Sequence, residues 1–446
     1  MKAYPRRLEE GALGIFLIPP AVAIAVALLG GFPLGLLASV AKAQGWELGT
    51  RTTALTQAHG HAQLVGWAGL FIVGLASRLV PRFAGAPSIG RIPFVAAVTA
   101  LSMGLGVRVV AQPLVGGGIG HMVMVAASAL EAVGVTVWVW HLFPSLRRPL
   151  ARGAPFAPYL TAMAFWLVTA SCLQVFWWGL HGVVGGVPLL PFPLDQALAG
   201  ALLMGFVVNT IVGVGLRTVF VFFGRPIPSS RMVWSMWVPL QAGIALYVLA
   251  LAWTWHQPGD GWQRVEAAGH TLMGMGIVVP ALLSGFWRPP VRLQARSREP
   301  GLLVKMGMAW LAGAGGLSAV IGAMGLVGDS WVPLAKVDVV RHILGVGVIT
   351  TMILGMAFLI LPPFALARQG KLPYRREVRL SLVALPLATL LRAVGGWVAG
   401  QGPWAFHLMA WSGALTWVVV AAFALAFVQA IQHARRGMAT QRSHAL

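Results

Sequence analysis

The sequence predicts an all-α polytopic membrane protein with twelve transmembrane helices in a pseudo-threefold array of three four-helix units. Three observations predict this fold class: the composition, the number of long apolar runs, and a repeated spacing of histidine and glycine. Of the 446 residues, 58% are hydrophobic and only 10% are charged, whereas soluble proteins carry about 25% charged residues. Water-soluble classes are therefore excluded. The single cysteine, Cys172, also excludes a disulfide scaffold and a Cys-x-x-Cys-His haem attachment.

The formal net charge of +21 has two interpretations. In a soluble protein it would indicate nucleic-acid binding, but here the basic residues lie between apolar runs, where they set membrane topology. We therefore expect the lipid bilayer as the surroundings and no nucleic-acid partner. No cleavable signal sequence is expected, because the polar start MKAYPRRLEE leads straight into a long apolar run.

Twelve runs are long and apolar enough to span a bilayer, which takes about 20 mostly apolar residues. Segments rich in Pro, Gly and Arg separate these predicted spans, which cover 12–38, 59–80, 92–111, 119–142, 158–181, 195–223, 231–254, 265–287, 301–327, 337–361, 378–400 and 403–431. Segment 41–58 has helical spacing but is polar, and we expect it on the surface. The chain is expected to form one membrane domain, with units of approximately 1–155, 156–298 and 299–446.

The distribution of basic residues predicts the orientation of the spans. If the N-terminus is cytoplasmic, 25 of the 32 Lys and Arg residues fall in cytoplasmic segments, and each such segment holds at least three. Short cytoplasmic segments of membrane proteins are enriched in Lys and Arg. Because a missed or extra span would break this alternation, we expect twelve spans with both termini cytoplasmic.

Eight of the 11 histidines fall on the outer side of this topology. Ionisable residues inside a membrane are functional candidates, and neutral imidazole is the commonest metal ligand. For one histidine a structural role is the simpler interpretation, but six in one layer favour a metal or haem site. These six candidate ligands lie at the starts or in the first turns of even-numbered spans: His59, His61, His121, His270, His342 and His407.

An internal repeat relates the three units. Spans 2 and 10 share the pattern H-x4-G-x7-G-x6-P, which begins at His61 and at His342. Span 6 keeps the two glycines, and its Gly205 lies 139 residues after the first glycine of span 2 and 142 before that of span 10. A fixed period of this kind indicates repeated structural units. Small residues at these spacings predict close helix packing, which explains the glycines but not the histidines.

The spacing of the histidines suggests how they are shared between sites. His59 and His61 lie about 200° apart around a helix, so we expect them to face two neighbouring sites. His61 and His342 occupy matching repeat positions and are the expected axial pair of a haem. Imidazole suits iron, copper and zinc alike, so the pool for a second haem or a copper comprises His59, His121, His270 and His407. Three arginines towards the same face are candidates to bind haem propionates: Arg108, Arg341 and Arg392.

Twelve spans in a threefold array, with histidines on the outer halves of spans 2 and 10, resemble the catalytic subunits of haem–copper oxidases and nitric oxide reductases. The sequence departs from that superfamily because span 10 has no H-x-H, span 7 has no His-His pair and span 6 has no histidine. It resembles the NnrS family of bacterial membrane proteins more closely, over about residues 12 to 431. The residues that carry this resemblance are the G-x7-G-x3-R spans, HGHAQLVGW in span 2 and RHILGVGVITTMILGMA in span 10.

The resemblance to the NnrS family implies a haem- and copper-containing protein of the bacterial inner membrane that is linked to nitric oxide and nitrosative stress. His59, His61 and His342 are the residues carried over. NnrS proteins often have H-A-H-E at the start of span 2, where this chain has H-G-H-A. A haem would be b-type, because no covalent attachment motif is present, and copper is a candidate second metal.

Whether the protein is an enzyme stays open at this point. Only Glu131 lies deep within a predicted span, and one acid makes no proton path across a membrane, so an enzyme would be a non-pumping oxidoreductase acting on nitric oxide or a related molecule. Two alternatives are a divergent terminal reductase of nitric oxide or oxygen without proton pumping, and a transporter of a metal, haem or small anion.

Overall fold

Twelve long apolar helices lie in the part of the chain that the structure describes, the number that the apolar runs predict. The computed structural model describes residues 14–184, 186–257, 259–289, 293, 297–328, 334–364 and 374–443. Both chain ends, expected in the cytoplasm, lie outside these residues. Within them the spans, numbered 1 to 12 in chain order, are Gly14–Ala43, Thr50–Ala84, Arg91–Leu114, Gly117–Ala151, Ala157–His181, Phe192–Phe222, Ser230–Thr254, Gly261–Leu283, Arg298–Val327, Leu334–Ile360, Arg375–Trp397 and Pro403–Gln432.

Span 2 begins earlier than the sequence predicts, because residues 50–58 continue into its helix rather than lying on the surface. Gln57, in this polar stretch, is only 4% exposed. Its amide nitrogen donates to the carbonyl of Leu190 at 2.8 Å, and the Leu190 backbone N–H donates to its amide oxygen at 3.2 Å. A polar side chain can be buried when its groups are paired, so low hydropathy alone does not place a segment on the surface.

Spans 2, 6 and 10 form the centre of the molecule. Their apolar windows are 72%, 83% and 72% buried, against 33% to 56% for the other nine. The outer helices surround these three and pack against one another as neighbours. Span 3 packs with span 4, span 7 with span 8, and span 11 with span 12. Span 12 also packs against span 1, which closes the ring of outer helices. One inner helix and three outer helices from each unit therefore build the array.

Each inner helix contains a π-helical segment at the same position of the repeat. These segments are Ala62–Leu70, Ala201–Val208 and Ile343–Thr350. They begin 139 and 142 residues apart, the same separations as the repeat glycines. In spans 2 and 10 the π-helical segment starts directly after the repeat histidine, His61 or His342. π-Helices are rare and frequently occur at functional sites. Three π-helical segments at equivalent positions therefore mark this layer as a candidate functional region.

The repeat glycines bring the preceding outer helix close to each inner helix. A Cβ at Gly66 would collide with Val26 of span 1. In the other two units the side chain in that place is a tryptophan, so a Cβ at Gly205 or Gly347 would collide with Trp166 of span 5 or Trp310 of span 9. The second repeat glycine of each inner helix contacts the same outer helix. The close packing predicted from the glycine spacing is thus present in all three units.

Candidate functional site

Two histidines meet between spans 2 and 10, at the end of the bundle where the even-numbered spans begin, here called the histidine end. The rings of His59 and His342 are parallel to within 9°, with centroids 6.4 Å apart. The Nδ1–H of His59 donates to the carbonyl of Gly31 in span 1 at 2.7 Å. The Nδ1–H of His342 donates to the carbonyl of Asp338 at 2.9 Å. Each ring is therefore left with Nε2 as the nitrogen available to a metal.

The distance between the ring centroids is that expected for two imidazoles on one metal ion, and the rings are stacked with their planes parallel. Metal–nitrogen bonds of about 2.0–2.1 Å place two ring centroids roughly 6 Å apart when the metal lies between them. A hydrogen bond from the other ring nitrogen fixes the tautomer and orientation, as it does for histidines that bind metals. There is also open space nearby, because a Cβ at Gly60 or at Gly345 would meet no other atom within 4 Å.

A haem needs only axial ligands from the protein, because the porphyrin supplies the other four nitrogens. Two histidines are a sufficient protein contribution to such a site. Among the described residues, no group of three or more His, Cys, Asp or Glu side chains could hold a metal ion. A copper or zinc site usually takes three or four protein donors.

Arg392 of span 11 adds a positive charge beside the histidine pair. Its Nη2 donates to Asp338 Oδ2 at 2.6 Å, and the Asp338 Oδ1 is 3.2 Å from Nδ1 of His342. The Nη1 of Arg392 is buried and has no hydrogen-bond partner in the described part of the chain. Such a group costs free energy unless something accepts from it. A carboxylate such as a haem propionate would provide the missing acceptor.

His61 points into a different group of residues, which we call the Glu131 cluster (His61, Arg108, Glu131, Gln174). Its Nε2 is 2.8 Å from Glu131 Oε2, which also accepts from Nε2 of Gln174 at 3.0 Å. The guanidinium of Arg108 lies over the ring of Trp178, 5.4 Å from its centroid, and bonds to Gln112. Spans 2, 3, 4 and 5 thus enclose a polar network in which His61 and Glu131 are both under 6% exposed.

The expected pairing of His61 with His342 is therefore replaced by a pairing of His59 with His342. His59 and His61 do face two neighbouring sites, as their separation of about 200° around the helix requires. The assignment of each histidine to its site is the reverse of the expectation. The repeat places His61 and His342 at matching positions of their own units, and matching positions of a threefold array face different neighbours.

A third polar group, the Tyr247 cluster (Gln196, Tyr247, His270, Arg341), lies between spans 6, 7, 8 and 10. Arg341 donates to the Tyr247 hydroxyl at 2.6 Å and also to the side-chain oxygen of Gln196. The ring of His270 packs edge-on against Tyr247 with centroids 5.0 Å apart. Its Nε2 is buried without a hydrogen bond to the described residues. His270 and Arg341 thus belong together, away from the histidine pair.

The other two candidate ligands lie apart from all three groups. His121 connects spans 4 and 5, because its Nε2 donates to the carbonyl of Trp178 at 2.6 Å. His407 is exposed on the outside of span 12. The six histidines of the expected layer therefore divide into one pair, two members of separate polar clusters, one helix contact and one exposed side chain. The three candidate arginines, Arg108, Arg341 and Arg392, each lie in a different group.

Several residues of these groups are not among the site residues that the sequence predicts. Asp338 is one helical turn before His342, and this spacing of four is a signal that the sequence carries. Gln57, Gln112 and Gln174 are polar residues within or next to apolar spans, a placement that also points to function or to specific pairing. Tyr247 carries no such signal, since tyrosine is common at membrane interfaces.

Comparisons with protein-family models and with the curated proteins find no match for this chain.

Proposed function

We propose that the chain is a multi-pass protein of the bacterial inner membrane that binds a b-type haem through His59 and His342 and acts in the response to nitric oxide. The observation that carries the proposal is the parallel pair of imidazoles, 6.4 Å apart, whose Nδ1 atoms are both bonded to backbone carbonyls. The link to nitric oxide and nitrosative stress comes from the resemblance to the NnrS family and is tested separately below.

The residues around the pair have separable roles in this proposal. The carbonyls of Gly31 and Asp338 orient the two rings and fix their tautomers. In each ring Nε2 is therefore the unprotonated nitrogen that can bind a metal. Arg392 offers its unpaired Nη1 to a propionate. A bound haem would supply an iron that exchanges electrons and binds diatomic gases. A gas would have to displace one of the two histidines, and the side chain of His342 is 26% exposed.

The orientation of the site is also part of the proposal. The loops at the opposite end of the bundle hold most of the 32 Lys and Arg residues, and such loops face the cytoplasm in other membrane proteins. The histidine pair would then lie near the periplasmic face. Protons used near that face would come from the periplasmic side, which agrees with a protein that does not pump.

Haem binding is tested with the full-length chain purified in detergent. The wild type and His61→Ala are expected to show a Soret band with about one haem per chain. His59→Ala and His342→Ala are expected to lose the reduced-minus-oxidised spectrum of a haem bound by two histidines. His407→Ala, which removes an exposed histidine of the same layer, is the matched control. A wild type without a Soret band, or unchanged spectra in both His59→Ala and His342→Ala, would overturn the proposal.

The nitric oxide assignment needs its own measurement. Nitric oxide added to the reduced, haem-loaded protein is expected to shift the Soret band, and its consumption under turnover conditions would distinguish an enzyme from a sensor. If the haem-loaded protein neither binds nor consumes nitric oxide, the haem site stands and the nitric oxide role fails.

A further inference from the structure

An apolar cavity lies between the three inner helices, on the axis of the molecule, and is partly open. It measures about 90 Å³ and extends from the π-helical layer towards the arginine-rich end. All of its lining residues come from spans 2, 6 and 10. They include Phe71 and Leu75 of span 2, Val207 and Val214 of span 6, and Ile349 and Met356 of span 10. No polar group from the three clusters of the histidine end reaches it.

The lining offers an occupant no free hydroxyl hydrogen, so that only the oxygens of two hydroxyl groups can accept from it. Its hydroxyl groups belong to Thr210 and Thr218, and both donate at 2.8 Å to a carbonyl of their own helix, four residues earlier. Apolar cavities of this kind stay dry and bind apolar ligands such as benzene or xenon, because a buried water needs two to four polar partners. Ions and polar solutes are excluded for the same reason.

The surroundings of the cavity favour a small occupant over a lipid chain. Its walls are the three most buried helices of the protein, and the nine outer helices stand between them and the bilayer. Small apolar gases dissolve in a bilayer and pass between packed helices more easily than an acyl chain does. Their preference for apolar surroundings follows from the same transfer free energy that buries apolar side chains.

Between this cavity and the candidate haem site, a side-chain hydrogen bond joins spans 2 and 10, about two helical turns from the histidine pair. The indole N–H of Trp67 in span 2 donates to the hydroxyl of Thr350 in span 10 at 3.3 Å. Trp67 packs edge-on against Phe71, which lines the cavity. Thr350 follows Ile349, another lining residue. A molecule that leaves the cavity towards His59 and His342 has to pass this Trp67–Thr350 contact.

We propose that the axial cavity is a binding site for small apolar gas molecules and supplies them to the histidine pair past Trp67. Binding of an apolar gas follows from the lining alone. The identity of that gas as nitric oxide, and its delivery to a haem, rest on the proposed function. The two parts can be tested independently, because xenon needs no haem in order to bind.

Xenon is the probe for the cavity itself. Crystals of the full chain under xenon pressure are expected to show an anomalous peak between spans 2, 6 and 10. Gly215→Leu is expected to abolish the peak, because Gly215 lines the cavity and a Cβ there meets nothing closer than 3.8 Å. Ala76→Ile is a second filling variant, from span 2. Gly313→Leu is the control, since the same substitution there adds a side chain to an exposed position of span 9.

The outcomes that overturn this site are equally specific. A wild type without a xenon peak, ordered water in the cavity, or a phospholipid acyl chain occupying it would each refute gas binding, whether or not the protein holds haem. A xenon peak in a chain that binds no haem would keep the cavity and refute the proposed function instead.

Delivery is tested by the rate of nitric oxide binding to the reduced, haem-loaded protein in stopped flow. Gly215→Leu and Ala76→Ile are expected to slow nitric oxide binding several-fold, with the static haem spectrum unchanged. Gly313→Leu is expected to bind nitric oxide at the rate of the wild type. Equal rates in the filled and control variants would refute the supply route.

Discussion

Asp338 joins the histidine pair to the neighbouring outer helix. One carboxylate oxygen lies 3.2 Å from Nδ1 of His342, and the other accepts from Arg392 at 2.6 Å. A carboxylate behind a histidine makes the imidazole a stronger ligand and holds its orientation. The charge of Asp338 is in turn balanced by Arg392. Within the described residues, Nη1 of that arginine is buried without an acceptor.

The Glu131 cluster gives a prediction at the level of single side chains. Removing one partner of the buried hydrogen bond between His61 and Glu131 leaves the other group unsatisfied, which costs about 1–3 kcal/mol and more for a charged group. We therefore expect His61→Leu and Glu131→Leu each to lower the stability of the detergent-purified protein strongly. The double variant should cost less than the sum of the two single variants. Thermal unfolding of the four proteins at equal haem content measures this coupling.

Additive effects of the two substitutions would show that His61 and Glu131 do not interact. His407→Leu serves as the reference, because the exposed position of His407 predicts almost no change. Among the described residues, Arg108 Nη1 and Glu131 Oε1 of this cluster and the indole N–H of the neighbouring Trp178 have no hydrogen-bond partner, which identifies where ordered water is expected.

The same two histidines show how far a sequence can locate a site. The spacing of His59 and His61 predicts two separate environments, and the structure has two. The choice of which residue meets His342 depends on the rotation of span 2 about its axis, and the hydrophobic pattern does not fix this rotation when the helix is apolar on all sides. Span 2 is such a helix, with 72% of its apolar window buried.

At the scale of helices, the repeat explains the positions of the second and third clusters. Gly104 in span 3 and Gly243 in span 7 are 139 residues apart, and at each a Cβ would collide with a carbonyl of the next helix. One turn later on the same faces stand Arg108 and Tyr247. Tyr247 thus takes the place of an arginine in the second unit. There the positive charge comes from Arg341 of an inner helix instead.

The repeat glycines give a prediction about helix packing. A Cβ at Gly205 would collide with the indole of Trp166, whereas a Cβ at Gly215 on the same helix makes an ordinary contact at 3.8 Å. Overpacking costs about 1–3 kcal/mol, and Ala stabilises a helix over Gly by up to about 1 kcal/mol. We expect Gly205→Ala to lower the melting temperature and Gly215→Ala to keep or raise it.

Thermal unfolding of the two single variants beside the wild type measures this difference. Equal stability of Gly205→Ala and Gly215→Ala would contradict the close contact between spans 5 and 6.

For the molecule as a whole, composition and span length were sufficient to predict twelve helices, because a bilayer imposes a fixed apolar length on each one. The repeat predicted three units, and the recurring π-helical segments agree with it. The axial cavity could not be predicted, because its lining residues are indistinguishable in sequence from apolar residues that face lipid. Their position inside the ring follows only from the packing of nine other helices.

The orientation of the molecule in the membrane can be tested without knowing its function. In a Cys172→Ala background, Glu47→Cys introduces an exposed thiol at the histidine end, between spans 1 and 2, and Ser88→Cys introduces one at the opposite end, between spans 2 and 3. Because basic loops are retained in the cytoplasm, a membrane-impermeant maleimide is expected to label Glu47→Cys in intact cells and Ser88→Cys only after permeabilisation.

The reverse pattern would place the histidine pair at the cytoplasmic face, so a periplasmic haem site would be ruled out. Labelling of both thiols in intact cells would mean that the number of spans between them is even, which contradicts span 2 as a single crossing.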